Sequence, residues 1–276
     1  MSRKLCLKPI PHPKIIGMDM ACRKCPACLK IMRIEWGNRM KLECFGKPYF
    51  PFFTTWTFSP ETYNNSEKAC KADIQRFWKR LRKAGHDIRY FTVIERGEHN
   101  NRLHGHTILW SKSLKQLPHH RATKILHDVW KNGIVDVQQV RSAKALSYVT
   151  KYLVKELSSE GQRSYQWSQK PMLGHEGMEY WKKAMYELYE DGRKWSIDDL
   201  PPNKMYVPIL GKLDYVYIPR AQYVAFCKDM GVHFKPQDLI KHQFNDPLSV
   251  FIDNEESKPK IWVQEQKYRV QKAKRD

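Results

Sequence analysis

The chain has 276 residues, enough for one sizeable core with appendages, and 49 Lys+Arg against 29 Asp+Glu give a net charge of +20. A field of that sign attracts polyanions and argues against an enzyme of small neutral metabolites. No apolar run approaches the roughly 18 residues that a membrane span needs, and no apolar segment follows the basic N-terminus as a secretory signal would require.

Taken in chain order, Cys6 to Ile16 is proline-rich and reads as loop. Three cysteines at spacings of three, Cys22, Cys25 and Cys28, come next, and a helical pattern runs from Leu29 to Glu43. These form a small N-terminal module over residues 1–45. Tyr49 to Phe58 is dense in aromatic and β-branched residues and predicts a buried strand. Lys71 to Ala84 places Ile74, Phe77, Trp78 and Leu81 at helical spacing, with basic residues opposite and Gly85 as a stop. Tyr90–Glu95 and Arg102–Trp110 flank a turn-rich stretch and predict a hairpin. A helix over Leu117–Trp130, a short strand Ile134–Val137 and a helix over Ala143–Leu157 complete an order β, α, β, β, α, β, α. That order predicts an α+β fold, an antiparallel sheet with helices on one face, over residues 46–175. Residues 176–276 form a C-terminal extension with a helix near Met178–Tyr189, a strand near Tyr215–Ile218 and a basic tail, Ser257–Asp276, expected to be partly disordered.

Residues two apart on a strand share a face, so His104 and His106 project together while Leu103, Gly105 and Thr107 face the other way. If the hairpin closes about its turn centre, Glu95 lies across from His104. Two imidazoles and a carboxylate suit a divalent metal with open coordination positions. Glu98 and His99, in the turn, are lower-ranked alternative ligands. The plainer reading is a pair of half-exposed histidines on a basic surface.

On a helical wheel Leu146, Val149, Leu153 and Leu157 form one apolar stripe, and Tyr148, Lys151, Tyr152 and Lys155 fall opposite. The core is thus assigned without the tyrosines. A phenol titrates near 10 and needs a cation or base beside it to act as a nucleophile, and lysines one turn away offer that and a phosphate contact. The competing reading is a stacking surface for single-stranded bases without chemistry.

Several stretches in order resemble the replication initiators of microviruses of the gokushovirus type, within the HUH endonucleases. They are Cys22-x-x-Cys25-x-x-Cys28 with Glu35-Trp36 and Arg39; Thr55-Trp-Thr57; Asp73 to Lys83; Glu95-Arg-Gly97; Arg102-Leu-His104-Gly-His106; Tyr148 to Lys155; and Ser168 to Gly174. The resemblance implies a central antiparallel sheet of about five strands, with the histidines on a central strand and the tyrosines on a helix below it. It implies rolling-circle replication of a small single-stranded DNA phage genome through a 5′-phosphotyrosine intermediate. Tyr148 and Tyr152 carry over as nucleophiles, assisted by Lys151 and Lys155, with Mg²⁺ or Mn²⁺ at His104, His106 and Glu95. Phosphate contacts are expected from Arg76, Lys79, Arg82, Lys83 and Arg102. The partners implied are origin DNA and the host's helicase and polymerase, in the cytoplasm of a bacterial host. Two departures stand out: Gly105 replaces a bulky apolar residue, which should weaken strand packing, and Leu103 stands where the family often has proline.

For the cysteines a structural Zn²⁺ is preferred, with Cys6 or Cys44 as fourth ligand. An iron–sulfur motif would need a further cysteine where Met32 stands, and reduced cysteines at a helix start are the remaining reading. The rival functions are a non-catalytic binder of single strands and a transposase or relaxase with the same chemistry.

Overall fold

Burial alternates along the central strands, and this alternation builds the core. In the computed structural model, residues 6–11, 13, 19–45, 47, 50–59, 66–97, 102–159, 165–189, 204–210 and 212–232 are described. The basic tail and the turn residues Glu98 and His99 lie outside them. A two-residue ribbon pairs β1 (Ile10–Pro11) with β2 (Asp19–Met20), and α1 (Pro26–Cys44) follows with Pro26 at its start. Next come β3 (Phe52–Phe58), α2 (Glu67–Lys83), β4 (Arg89–Arg96) and β5 (Leu103–Trp110). Then follow the short α3 (Lys112–Lys115), α4 (His119–Trp130), β6 (Gly133–Gln139), α5 (Ala143–Ser159), β7 (Tyr165–Trp167) and α6 (His175–Tyr189). The hairpin β8 (Lys204–Ile209) and β9 (Lys212–Tyr217) precedes α7 (Arg220–Asp229).

The fold is α+β. Five strands form one sheet in the order β6-β3-β5-β4-β7, every neighbouring pair antiparallel, with β5 at the centre. The strand β7, at the edge beside β4, is absent from the sequence reading. Its three residues are too few to show a period, and only pairing with Phe91–Val93 makes them a strand.

Helices cover both faces, which corrects the one-face expectation. On the first face α2 and α4 bury Ile74, Phe77, Trp78, Leu126 and Trp130 against Phe52, Trp56, Tyr90, Ile94, Leu103 and Leu109. On the other face α5 packs on β4, β5 and α1. There Trp36 of α1 stacks against Phe91 and Trp167, both 4.8 Å between ring centroids. The reason is in the strands: Phe91, Val93 and Ile108 are apolar on the second face too, so a buried sheet needs two covers. Side-chain caps set helix starts, Ser66 accepting from the Ala69 N–H at 3.4 Å and Ser111 from the Leu114 N–H at 3.2 Å.

Gly105 leaves no hole. It pairs with Trp56 in register, and a Cβ at Gly105 would stand 3.0 Å from Trp56 Cδ1 and 3.3 Å from Ile74 Cδ1. The indole fills the space the missing side chain frees, so the expected loss of packing is made good. Trp56 is fixed in turn by its Nε1–H donating to Thr107 Oγ1 at 2.8 Å and by Phe77, Trp78 and Trp130 around it.

A buried carboxylate ties the ends of this unit together. Glu43, 1% exposed, accepts two hydrogen bonds from Arg89 at 2.9 and 2.8 Å, one from the Gly174 N–H at 2.7 Å, and pairs with Lys47 at 3.1 Å. Arg89 also donates to the carbonyls of Pro171 and Met172. Ser168 to Gly174 is thereby fastened to α1 and β4.

The chain divides into two compact units, Met1–Glu176 and Gly177–Asp276. Within the second, Trp181 of α6 packs on Phe226 of α7 at 4.9 Å and Tyr186 donates to Asp229 at 3.3 Å.

Two outcomes follow. Gly105→Val should destabilise the protein by about 1–3 kcal/mol in chemical denaturation, because the hydrogen-bonded Trp56 must give way; Gly105→Ala should cost less, and an equal or more stable Val variant would refute the close approach. Burial works against the Glu43 carboxylate, but hydrogen bonds from Arg89, the Lys47 charge and the Gly174 N–H outweigh it and hold its pKa below the ordinary range. A carboxylate depressed in the folded state stabilises above its unfolded pKa, about 4.3, and loses that stabilisation as pH falls through the lower folded value. Glu43→Gln should therefore cost about 3–5 kcal/mol at pH 7, with the gap to wild type closing below about pH 4 in acid-denaturation curves.

Candidate nuclease site

Strand β5 puts His104 and His106 on the α5 face. The register sets Glu95 opposite His104, as the hairpin arithmetic expects, and Val93 opposite His106. The Glu95 carboxylate reaches diagonally to His106, Oε1 lying 2.9 Å from Nε2, and both residues are 8% exposed. From the other neighbour, β3, Thr55 pairs with His106 and Thr57 with His104. Each threonine hydroxyl lies 3.3 Å from the Nδ1 of its histidine. A hydroxyl at Nδ1 leaves Nε2 as the outward nitrogen, the usual work of a group behind a metal-binding histidine. Burial, then the neighbouring His106 and Arg102, lowers the His104 pKa, with Glu95 opposing; the neutral ring is the form that ligates.

Helix α5 supplies the other half. Leu146, Val149 and Leu153 are buried, Tyr148 and Lys151 exposed, and Tyr152 half-buried. The Tyr152 ring lies flat on His106, centroids 4.1 Å apart with 8° between planes. Its hydroxyl donates to the Tyr148 hydroxyl at 3.0 Å. Phe53 sits edge-on to Tyr148 at 6.1 Å and stacks on His106 at 6.0 Å. The Lys151 ammonium stands 5.2 Å from the Tyr148 ring centroid. Burial, the hydrogen bond to Tyr148 and the Tyr148 and Glu95 charges raise the Tyr152 pKa. The Lys155 side chain is outside the described residues.

The donor types of His104, His106 and Glu95 fit a hard or borderline divalent cation. Their ligand atoms are less tightly gathered than those of the cysteines: among the described residues only the cysteine quartet has all its ligand atoms within 4.8 Å of one another. His106 and Glu95 already meet, and His104 lies one same-face step along the strand.

The basic residues divide. Arg102 adjoins His104 and donates to the Phe58 carbonyl. Arg76, Lys79, Arg82 and Lys83 lie on α2, across the sheet from the tyrosines; Arg76 pairs with Asp73, and Arg82 donates to the Ile88 carbonyl at 3.1 Å. The sequence reading missed Thr55 and Thr57 as residues behind the histidines, although it quoted the Thr-Trp-Thr motif. Matching its two-residue period to that of His-x-His would have found them.

Cys6, Cys22, Cys25 and Cys28 form a second centre. The sulfurs of Cys6 and Cys25 are 4.0 Å apart and those of Cys22 and Cys28 3.9 Å apart. A tetrahedral zinc with bonds of about 2.3 Å needs edges of about 3.8 Å. Backbone N–H groups of Leu7, Cys22 and Cys25 point at sulfurs of the set, 3.3 to 3.4 Å away. These donors, with the neighbouring thiols, outweigh burial and bring Cys25 down to about 6. Cys44 is elsewhere, accepting from Trp110 Nε1 at 3.2 Å, so Cys6 completes the quartet. Native mass spectrometry should find one Zn²⁺ per chain. Cys25→Ser should lose it and Cys44→Ser keep it; a metal retained by the first or lost by the second refutes the quartet.

No curated protein and no solved structure matches the chain. Residues 51–157 match the family model described as Replication-associated protein ORF2. The matched span runs from the first strand of the large sheet through the tyrosine helix, and over it the chain belongs to the Replication-associated protein ORF2 family.

Proposed function

We propose that this protein is a site-specific single-stranded DNA endonuclease and strand-joining enzyme that initiates rolling-circle replication of a small phage genome. The observation that carries the reading is the stack of Tyr152 on His106 with its hydroxyl 3.0 Å from that of Tyr148. Two phenols beside two strand-borne imidazoles and a carboxylate are more than a base-stacking surface requires. The net charge of +20 supports a nucleic-acid substrate, and the family match supports replication as the process.

His104, His106 and Glu95 would hold Mg²⁺ or Mn²⁺, which when bound polarises the scissile phosphate's oxygens. Thr55 and Thr57 keep the imidazoles turned for that task. A tyrosine oxygen bonds to phosphorus, the bond to the 3′ oxygen breaks, the phenol gives up its proton and the departing oxygen takes one up. One phosphodiester-level bond replaces another, so a 3′ hydroxyl returned to the same phosphorus rejoins the strand without an external energy source. Tyr148 is the first nucleophile: it is 46% exposed, Lys151 stands over its ring, and Tyr152 donates to the oxygen where negative charge would develop. Tyr152, more buried, acts after it. Lys155 is assigned the companion role to Lys151, and Arg102 a phosphate contact beside the histidines. Origin DNA is the substrate, and host helicase and polymerase complete the process in the bacterial cytoplasm. Among the described residues no helix is long and apolar enough to cross a membrane.

The test is a labelled single-stranded oligonucleotide library incubated with Mn²⁺ and resolved for a covalent protein–DNA adduct. Wild type should form it, Tyr148→Phe should lose most of the first-turnover adduct, and the Tyr148→Phe/Tyr152→Phe variant should form none. A wild type that binds DNA but yields no adduct leaves a binding protein only, and an adduct surviving in the double variant removes both tyrosines from the chemistry.

A further inference from the structure

Across the sheet from the tyrosines, between α2 and the β4–β7 edge, lies an open groove of about 480 Å³. One wall is a stripe of α2, with Gln75, Lys79 and Arg82 at spacings of four and three residues, all exposed. The opposite rim is Gln169 and Lys170, just after β7 and also exposed. The floor includes Trp78 and Tyr90, whose rings stack at 4.6 Å, with the Arg82 guanidinium 5.9 Å from the Tyr90 centroid.

Three properties of this groove point to a ligand. Its lining contains four cationic side chains, Lys79, Arg82, Arg89 and Lys170, and no carboxylate. Arg89 is committed to Glu43, so the charge offered to a ligand comes from Lys79, Arg82 and Lys170. Second, two buried polar atoms of the lining residues, Trp78 Nε1 and Gln166 Oε1, have no hydrogen-bond partner. An indole N–H and an amide oxygen buried without partners cost free energy that a ligand carrying both donors and acceptors would recover. Third, the volume lies in the range of small-ligand sites and admits a nucleotide but not a folded segment.

We infer that this groove binds one nucleotide stretch of the single-stranded DNA on which the protein acts. Lys79 and Lys170 hold backbone phosphates from the two rims, and a base lies between them over the Trp78–Tyr90 floor. A free anion would use the lysines but leave the aromatic floor and the amides Gln75, Gln166 and Gln169 without a role; a base with its phosphates uses all of them. Because the groove opens on the α2 face at the β7 edge, the strand held there is a flank of the segment at the tyrosines. The site therefore anchors DNA while the reacting phosphate is exchanged. This inference rests on the reading of the protein as one that handles single-stranded DNA, but not on its nicking it.

The experiment uses the full chain as the Tyr148→Phe/Tyr152→Phe variant, with single-stranded 20-mers carrying 5-iododeoxyuridine at successive positions. Photo-crosslinked peptides are mapped, and affinity is followed by anisotropy against salt. Cross-links should fall in peptides containing Tyr90 or Trp167 as well as in those of the α5 face. Lys79→Gln/Lys170→Gln should weaken binding several-fold and flatten the slope of log K against log salt by about 1.4, at about 0.7 per lost single-strand phosphate contact. The matched pair Lys112→Gln/Lys124→Gln should leave the slope unchanged. Cross-links confined to the α5 face, or equal slope losses in both pairs, overturn the groove. Wild type failing to bind any oligonucleotide overturns the proposed function together with it, whereas wild type failing only to form adducts overturns nicking and leaves the groove's result standing.

Discussion

The pairing of Trp56 with Gly105 fixes how β5 lies in the sheet, and most of the site follows from it. A strand slipped by one residue would turn every side chain over. His104 and His106 would then enter a core of tryptophans, and Leu103 and Leu109 would face the tyrosines. Against this, the largest side chain of β3 sits over the one residue of β5 without a side chain, and its indole N–H closes on Thr107, which in turn meets Thr92 at 2.7 Å. No other register offers Trp56 both a space and an acceptor on β5. The same register delivers Thr55 and Thr57 to the Nδ1 atoms of the two histidines and brings Glu95 within reach of His106. Packing on one face thus sets polar geometry on the other.

Helix α5 can present its tyrosines to the strand because its core contacts are made elsewhere. Leu146, Val149 and Leu153 are satisfied by neighbours on the α1 side of the helix, and α1 is held by a buried ion pair rather than by a strong apolar stripe of its own. Glu43 on α1, Arg89 at the start of β4 and Gly174 beyond β7 meet in one network. A carboxylate left alone at that depth would be costly. Its three partners come from three separate stretches of chain, so the network forms only when all of them are in place. It is a device for specifying the packing of α1 against the sheet as much as for stabilising it.

These origins explain what the sequence disclosed. The hairpin, the same-face histidines, the Glu95–His104 pairing and the outward tyrosines all depend on local periodicity, and local periodicity is visible in a string of residues. The second covered face was written in Phe91, Val93 and Ile108, but a strand apolar on both sides resembles any apolar run until its neighbours are known. The strand β7 and the role of Thr55 and Thr57 depend on pairing between distant segments, which a single sequence does not reveal. Gly105 was misjudged for the same reason: its cost was visible, and the indole that compensates for it lies 49 positions earlier, on another strand. The basic face of α2 was read correctly as exposed, but only the sheet shows that it stands on the side away from the tyrosines.

On the proposed chemistry, the hydrogen bond between the two phenols makes the pair asymmetric in a useful way. While Tyr152 donates to Tyr148, negative charge on Tyr148 is stabilised and Tyr152 remains a neutral phenol. Once Tyr148 is esterified to DNA its oxygen becomes a bridging ester atom and a much poorer acceptor, so Tyr152 loses the bond that held its proton. The second nucleophile is thereby freed by completion of the first reaction, with no movement of the backbone. Both oxygens remain beside the same imidazoles, 3.0 Å apart, so one phosphate-binding position serves attack by either. Alternation between the tyrosines then requires only that the hydroxyl rotate, a far smaller change than exchanging active sites between two copies of the chain.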